Sequence, residues 1–170
     1  MIDTYGRDIY YLRLSVTERC NLRCRYCMPE DGICKKQHEE MLTEDEMIQA
    51  VEVAASLGFR KVRLTGGEPL VKKNILCICR HVAAVQGIQE VCMTTNATLL
   101  PEMAKPLREA GVSRLNISLD TLDEETDEGL NDLHMLFGAV CAIVELQLAL
   151  PGKIETTVPL KNVLDRRPFI

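Results

Sequence analysis

The chain has 170 residues, of which 46% are apolar and 26% charged, with a formal net charge of -5. This balance suits one globular unit with a real core and excludes a disordered chain. The acidic net charge argues against nucleic acid or an anionic membrane as a general partner, but leaves room for a phosphorylated substrate held by a few arginines.

Taken in chain order, the start (residues 1–8) carries Asp3, Arg7 and Asp8 with no apolar run, so no signal peptide is expected. Residues 10–16 read as a strand that leads into Cys20-Asn-Leu-Arg-Cys24-Arg-Tyr-Cys27. Thr43-Glu-Asp-Glu46 is a capping box; Met47, Val51 and Ala54 then recur at helical spacing, and Gly58 supplies a stop. Residues 61–64 form a short strand ending in Thr65-Gly-Gly-Glu-Pro69. A helix over 74–85, a strand over 90–94, a helix over 102–110 and a strand over 114–119 follow. A helix over 132–150 is broken by Pro151-Gly152, and 154–158 makes a fifth strand. The most apolar stretch, 138–150, is too short to span a bilayer and contains Glu145. A cytoplasmic location is expected, where thiols stay reduced, so the eight cysteines point to metal binding or burial rather than disulfides.

Repeated β-α units of this length imply an α/β fold with parallel strands and right-handed crossovers. Functional residues should gather at the carboxyl ends of such strands. The cysteine loop, the Gly-Gly-Glu turn, Thr94-Thr-Asn96 and Ser118-Leu-Asp120 all fall there.

A C-x3-C-x2-C loop offers three thiolates to a cluster of four irons and leaves one iron open for a small molecule. A zinc site, with Cys34 or His38 as the nearest fourth ligand, or chance clustering of structural cysteines is the alternative at this point. Gly66 and Gly67 let backbone approach a ligand closely, and Glu68 offers a carboxylate suited to an amino group. A plain turn is the bland reading. The other cysteines have bland readings too. Cys77 and Cys79, two apart on a helix, point in different directions. Cys92 and Cys141 fall in apolar runs, and His38, His81 and His134 show no partner pattern.

The cysteine loop after a first strand, with an aromatic before its third cysteine, is similar to that of radical S-adenosylmethionine enzymes. Tyr5-Gly-Arg, Leu12-Arg-Leu-Ser-Val-Thr, Cys27-Met-Pro-Glu30, Val62-Arg-Leu-Thr-Gly-Gly-Glu-Pro-Leu70, Thr94-Thr-Asn96 and Leu115-Asn-Ile-Ser-Leu-Asp120 further resemble the GTP 3′,8-cyclase family of molybdenum-cofactor biosynthesis. The resemblance implies a radical core domain over 1–170, folded as a partial, incomplete (β/α) barrel. The match is densest over 1–123, divergent over 124–152 and weak over 153–170.

It implies a [4Fe–4S] cluster on Cys20, Cys24 and Cys27, the catalytic and metal-binding residues. S-adenosylmethionine is chelated at the open iron and cleaved by one electron, and the resulting 5′-deoxyadenosyl radical abstracts a hydrogen from the substrate. Tyr26, Gly66, Gly67, Glu68 and Ser118 are the implied S-adenosylmethionine contacts. Arg13, Arg63, Thr94 and Lys153 are the implied contacts to GTP, which would be converted to 3′,8-cyclo-7,8-dihydro-GTP; an electron donor is implied as well. Guanidinium groups suit phosphate oxygens through paired donors, and lysine adds a point charge. A surface salt bridge is the bland reading of either arginine.

Two departures matter. The family is about twice as long, with a second cluster and a paired-glycine tail in its remaining part. The chain therefore reads as C-terminally truncated, with an open sheet edge offered to oligomerisation or a complementing chain. Such a chain would bind cluster and cofactor without completing the cyclisation alone. Asn96 is followed by Ala97 where the family has glycine, so left-handed backbone there would be strained. Competing readings are a peptide-modifying radical maturase, a non-catalytic cluster-carrying fragment and a structural zinc domain.

Overall fold

A computed structural model of the chain describes residues 2–22, 24, 27 and 41–118. Tyr26, Lys153, the helix expected over 132–150, the fifth strand and the open sheet edge at it lie outside the described residues.

Four strands, β1 (Tyr11–Thr17), β2 (Lys61–Gly66), β3 (Glu90–Thr95) and β4 (Arg114–Ile117), pair in parallel in the order β1-β2-β3-β4. Three helices connect them: α1 (Glu44–Ser56), α2 (Ile75–Ala84) and α3 (Leu100–Glu109). The α/β class with parallel strands is as the sequence implies, with four strands of an open sheet among the described residues.

The period of two along each strand decides which face is buried. Leu14, Val16, Val62, Leu64, Val91, Met93, Leu115 and Ile117 alternate onto one face and join Met47, Val51, Ile75, Ile78, Val82, Leu100 and Leu107 from the helices in one apolar core. Each such side chain, fully buried, contributes roughly 1.5–3 kcal/mol. The opposite face carries Arg13, Ser15, Arg63, Thr65, Cys92, Thr94, Arg114 and Asn116. It has no helix on it among the described residues.

Local signals set the helix ends. The Thr43 hydroxyl accepts from the Glu46 amide at 3.3 Å, and the Glu46 carboxylate accepts from the Thr43 amide at 2.7 Å, completing the capping box. At the far end Gly58 takes φ +93, the Phe59 amide reaches the Ala54 carbonyl and the Gly58 amide the Ala55 carbonyl. This paired closure needs a left-handed residue, and glycine supplies it without a Cβ clash. Helix α3 begins at Leu100 rather than at 102, because Pro101 in its first turn gives up an amide that would have no intrahelical partner anyway.

Candidate functional site

Strand β1 ends at buried Thr17, whose hydroxyl accepts from the Arg19 amide at 3.1 Å and turns the chain into the cysteine loop. The Cys20 sulfur accepts from the Leu22 amide at 3.4 Å, and the Cys27 amide donates to the Cys24 carbonyl at 3.0 Å. Cys20 and Cys24 are half-buried and Cys27 is exposed, and no described cysteine is in a disulfide. Three reduced thiols on one loop at a sheet end form a donor set that fits three corners of an iron–sulfur cubane. Such sulfurs bind different irons and need not converge on one point.

The Gly66-Gly67 turn is locked against the base of that loop. The Gly67 amide donates to the Thr17 carbonyl and the Glu68 amide to the Arg19 carbonyl, each at 2.8 Å. A Cβ on Gly66 would collide with the Thr17 carbonyl oxygen, and one on Gly67 would lie 2.6 Å from the Arg19 carbonyl carbon. Both obstacles are backbone, so neither can swing aside. The glycines therefore make the seat on which the cysteine loop rests.

Glu68 is 1% exposed. Its Oε1 accepts from the Leu70 amide at 2.9 Å and the Thr95 hydroxyl at 2.8 Å, and its Oε2 accepts from the Asn96 amide at 2.7 Å. Three of its lone-pair sites are thus taken by the protein, and the carboxylate ties the β2 turn to the end of β3. The sequence suggested an amino-group acceptor; the structure adds a positioning task between two strand ends and leaves one lone-pair site of the carboxylate over.

Asn96 extends this network to the cysteine loop. Its Nδ2 donates to Asn21 Oδ1 at 2.9 Å and lies 4.0 Å from the Cys20 sulfur, while its Oδ1 accepts from the Thr98 amide and hydroxyl. Asn21 Nδ2 donates to the Thr98 hydroxyl at 2.7 Å. Ala97, 1% exposed, holds φ +65 beside this network, the left-handed backbone the sequence flagged. Ser118 continues the ladder through its amide to the Thr95 carbonyl at 2.9 Å, with its side chain exposed.

On the open face, strand register lines up Arg13, Arg63, Cys92 and Arg114 in one row across all four strands. Thr94 pairs with Asn116 in the next row toward the strand ends. Arg114 donates to Glu90 at 2.9 Å, and Lys61 pairs with the other Glu90 oxygen at 3.0 Å. Burial alone would raise the Glu90 carboxyl, but the Lys61 contact, with Cys92 and Arg114, outweighs it and holds the group below its ordinary value. Arg63 differs: its Nε is buried without a hydrogen-bond partner, as is Asn116 Oδ1, and its guanidinium lies 5.4 Å from the Tyr11 ring. Buried donors of this kind call for an acceptor. The arginine row and the cysteine loop share the sheet, the loop standing past its carboxyl end.

A second cluster escaped the sequence reading. Cys77 and His81, four apart on α2, face Glu44 in the first turn of α1. The Cys77 sulfur is 3.9 Å from His81 Nδ1, which is 3.2 Å from Glu44 Oε1. Among the described residues, this is the group whose ligand atoms all lie within 4.8 Å of one another. The readable signal was Cys-x3-His on one helix face. The Glu44 carboxylate beside Cys77 holds its thiol above the ordinary value, while burial pushes Cys79 up to about 12 and also raises Cys92. No described helix is long and apolar enough to cross a membrane.

Three comparisons bear on this geometry. The family model of the Radical SAM superfamily matches residues 14–142. The chain is 48% identical over 152 residues to a GTP 3′,8-cyclase of Geobacter sulfurreducens, covering 89% of this chain and 44% of that protein. It is 44% identical over 168 residues to the enzyme of that name from Petrotoga mobilis (97% and 51% covered) and 55% identical over 122 residues to that of Pelotomaculum thermopropionicum (72% and 38%). The chain thus spans about half the length of the curated relatives it matches. Among solved structures, HydG, a maturase of the [FeFe]-hydrogenase, aligns with TM-score 0.60 at 19% identity, covering 78% of this chain and 32% of that one. BtrN in complex with AdoMet and 2-DOIA aligns with TM-score 0.55 at 17% identity, covering 95% and 64%. These likenesses concern the fold. Because that fold, the three-cysteine loop at its strand ends and the family match over most of the chain agree, this protein belongs to the radical SAM superfamily.

Proposed function

We propose that this chain is the radical-generating part of a GTP 3′,8-cyclase, with the GTP triphosphate lying across the arginine row of the open sheet face. The observation that carries the reading is Arg63. Its buried Nε has no partner within the described residues, and it stands in register with Arg13, while the Glu90 carboxylate nearby is engaged by Arg114 and Lys61. A guanidinium so placed fits a phosphate oxygen through charge-assisted hydrogen bonds. The relatives named GTP 3′,8-cyclase make guanosine triphosphate the phosphorylated substrate of choice.

The superfamily's cofactors are a [4Fe–4S] cluster and S-adenosylmethionine. When bound, they supply a one-electron cleavage of the sulfonium that starts hydrogen abstraction. Cys20, Cys24 and Cys27 would hold the cluster, and Gly66 and Gly67 keep backbone close to the cofactor. Glu68 fixes the turn and Asn96 orients the loop. Arg13, Arg63 and Thr94 would hold the nucleotide, with Lys153 and Tyr26 contributing from outside the described residues, and Ser118 flanking the cofactor. A cytoplasmic location and a reducing electron donor belong to the same reading.

The test is anaerobic reconstitution with iron and sulfide, then addition of S-adenosylmethionine and a strong reductant. 5′-Deoxyadenosine and cyclised GTP are measured with and without GTP, for the chain alone and with the C-terminal part of a relative supplied in trans. Deoxyadenosine that depends on Cys24, with GTP retained by the wild type and lost in Arg63→Met, is the expected result. Failure to make deoxyadenosine, or GTP binding indifferent to Arg13 and Arg63, rejects the proposal.

A further inference from the structure

We propose that Glu44, Cys77 and His81 form a second metal site, separate from the cysteine loop, that takes a zinc-class divalent cation and clamps the start of α1 to α2. The set is one carboxylate, one thiol and one imidazole, the mixture of donors that zinc accepts with tetrahedral geometry. Metal–nitrogen and metal–oxygen bonds of about 2.0–2.1 Å, a metal–sulfur bond of about 2.3 Å and tetrahedral angles require N···O near ~3.3 Å and N···S near ~3.6 Å. The protein has 3.2 Å and 3.9 Å. Those two separations are within a few tenths of an ångström of what a cation requires, and the third, sulfur to carboxylate oxygen, lies within 4.8 Å. Three protein ligands leave a fourth position for water or an external group.

A second observation comes from Asn74. This residue is the N-cap of α2, yet its side chain makes no capping hydrogen bond. It donates instead to Glu44 Oε2, across to the other helix. An N-cap asparagine ordinarily contributes about 1 kcal/mol through its own helix. Here that contact is forgone, and the result is a Glu44 held at one oxygen with the other turned toward His81. Ligands of metals are oriented by such outer partners. The Thr43–Glu46 capping box fixes the backbone on which Glu44 stands, so the carboxylate is positioned from both sides. Cys77 is half-buried and His81 exposed, which leaves an entry path from solvent.

The test uses the full chain with Cys20, Cys24 and Cys27 replaced by serine, so that the cluster loop cannot compete. Titration with Co2+, read by thiolate-to-cobalt charge-transfer absorption and by four-coordinate d–d bands, should show one equivalent, displaced by Zn2+. Cys77→Ser should abolish the charge-transfer band, whereas Cys79→Ser should keep it. His81→Ala should weaken binding, and Asn74→Ala should weaken it by about tenfold or more without loss of helical circular dichroism. A band that survives Cys77→Ser, or no saturable binding in the parent, overturns the site and leaves the three residues as a hydrogen-bonded helix clamp.

Discussion

Ala97 and Glu68 show how single residues hold the site. At φ +65 an L-residue is disfavoured by about 1–2 kcal/mol, yet the Ala97 methyl is buried and contributes packing. These terms oppose each other, so Ala97→Gly should change stability by less than about 1 kcal/mol. Ala97→Val adds a branched carbon where neither backbone nor core accepts one, and should cost about 2–3 kcal/mol by urea denaturation. An Ala97→Gly loss well above about 1 kcal/mol would mean that the backbone there is unstrained. Glu68→Ala removes the acceptor of three donors and should cost about 3 kcal/mol or more, with iron loading of the cysteine loop reduced in parallel. The strain at Ala97 was legible, because the resemblance set glycine at that position. The partners of Glu68 were not. A carboxylate after two glycines looks the same in sequence whether it faces a ligand or a neighbouring strand, and only the parallel pairing of β2 and β3 brings Thr95 and Asn96 to it.

Among the elements, the strands and helices were readable where period and punctuation agree. The capping box and Gly58 bounded α1, and alternation in β1 and β2 separated the core face from the open one. What alternation could not reveal is register. That Arg13, Arg63 and Arg114 share one row follows from pairing offsets that no single strand encodes. The row carries its own prediction. Arg63→Met should weaken GTP binding by roughly 10- to 100-fold in equilibrium dialysis, the equivalent of about 1.5–3 kcal/mol for a charged hydrogen bond. Arg114→Met should matter less for the nucleotide, since that side chain is already engaged by Glu90. The Cys77–His81 pair was missed for the complementary reason: its third member, Glu44, sits on another helix.

At the scale of the whole molecule, the cysteine loop depends on the sheet through the glycine turn. Gly67→Ala sets a methyl against the Arg19 backbone and should cost about 3 kcal/mol while lowering deoxyadenosine yield, a pairing of losses that an exposed-turn glycine would not produce. Acid should loosen the same body. Glu90 and Glu44 both have carboxyl values held below ordinary: burial opposes the shift, but Lys61, Cys92 and Arg114 outweigh it at Glu90, and Cys77, Asn74 and His81 at Glu44. Depressed carboxyl values contribute stability that is present above the unfolded value and is lost as pH falls through the folded one. Thermal unfolding followed from pH 7 downward should therefore show Tm declining once pH falls below the usual carboxylate range. Glu90→Gln should flatten part of that decline.

The arginine row has a mechanical side as well. Arg13 and Arg63 stand on adjacent rungs of neighbouring strands, so the row gathers like charges at one place on the sheet. These are the very strands from which the cysteine loop and glycine turn emerge. A polyanion on the row would pull them together. Occupancy of the sheet face would thereby tighten the seat of the loop above it, and sulfate or triphosphate should raise Tm beyond chloride at matched ionic strength, an advantage that disappears when both arginines become methionine.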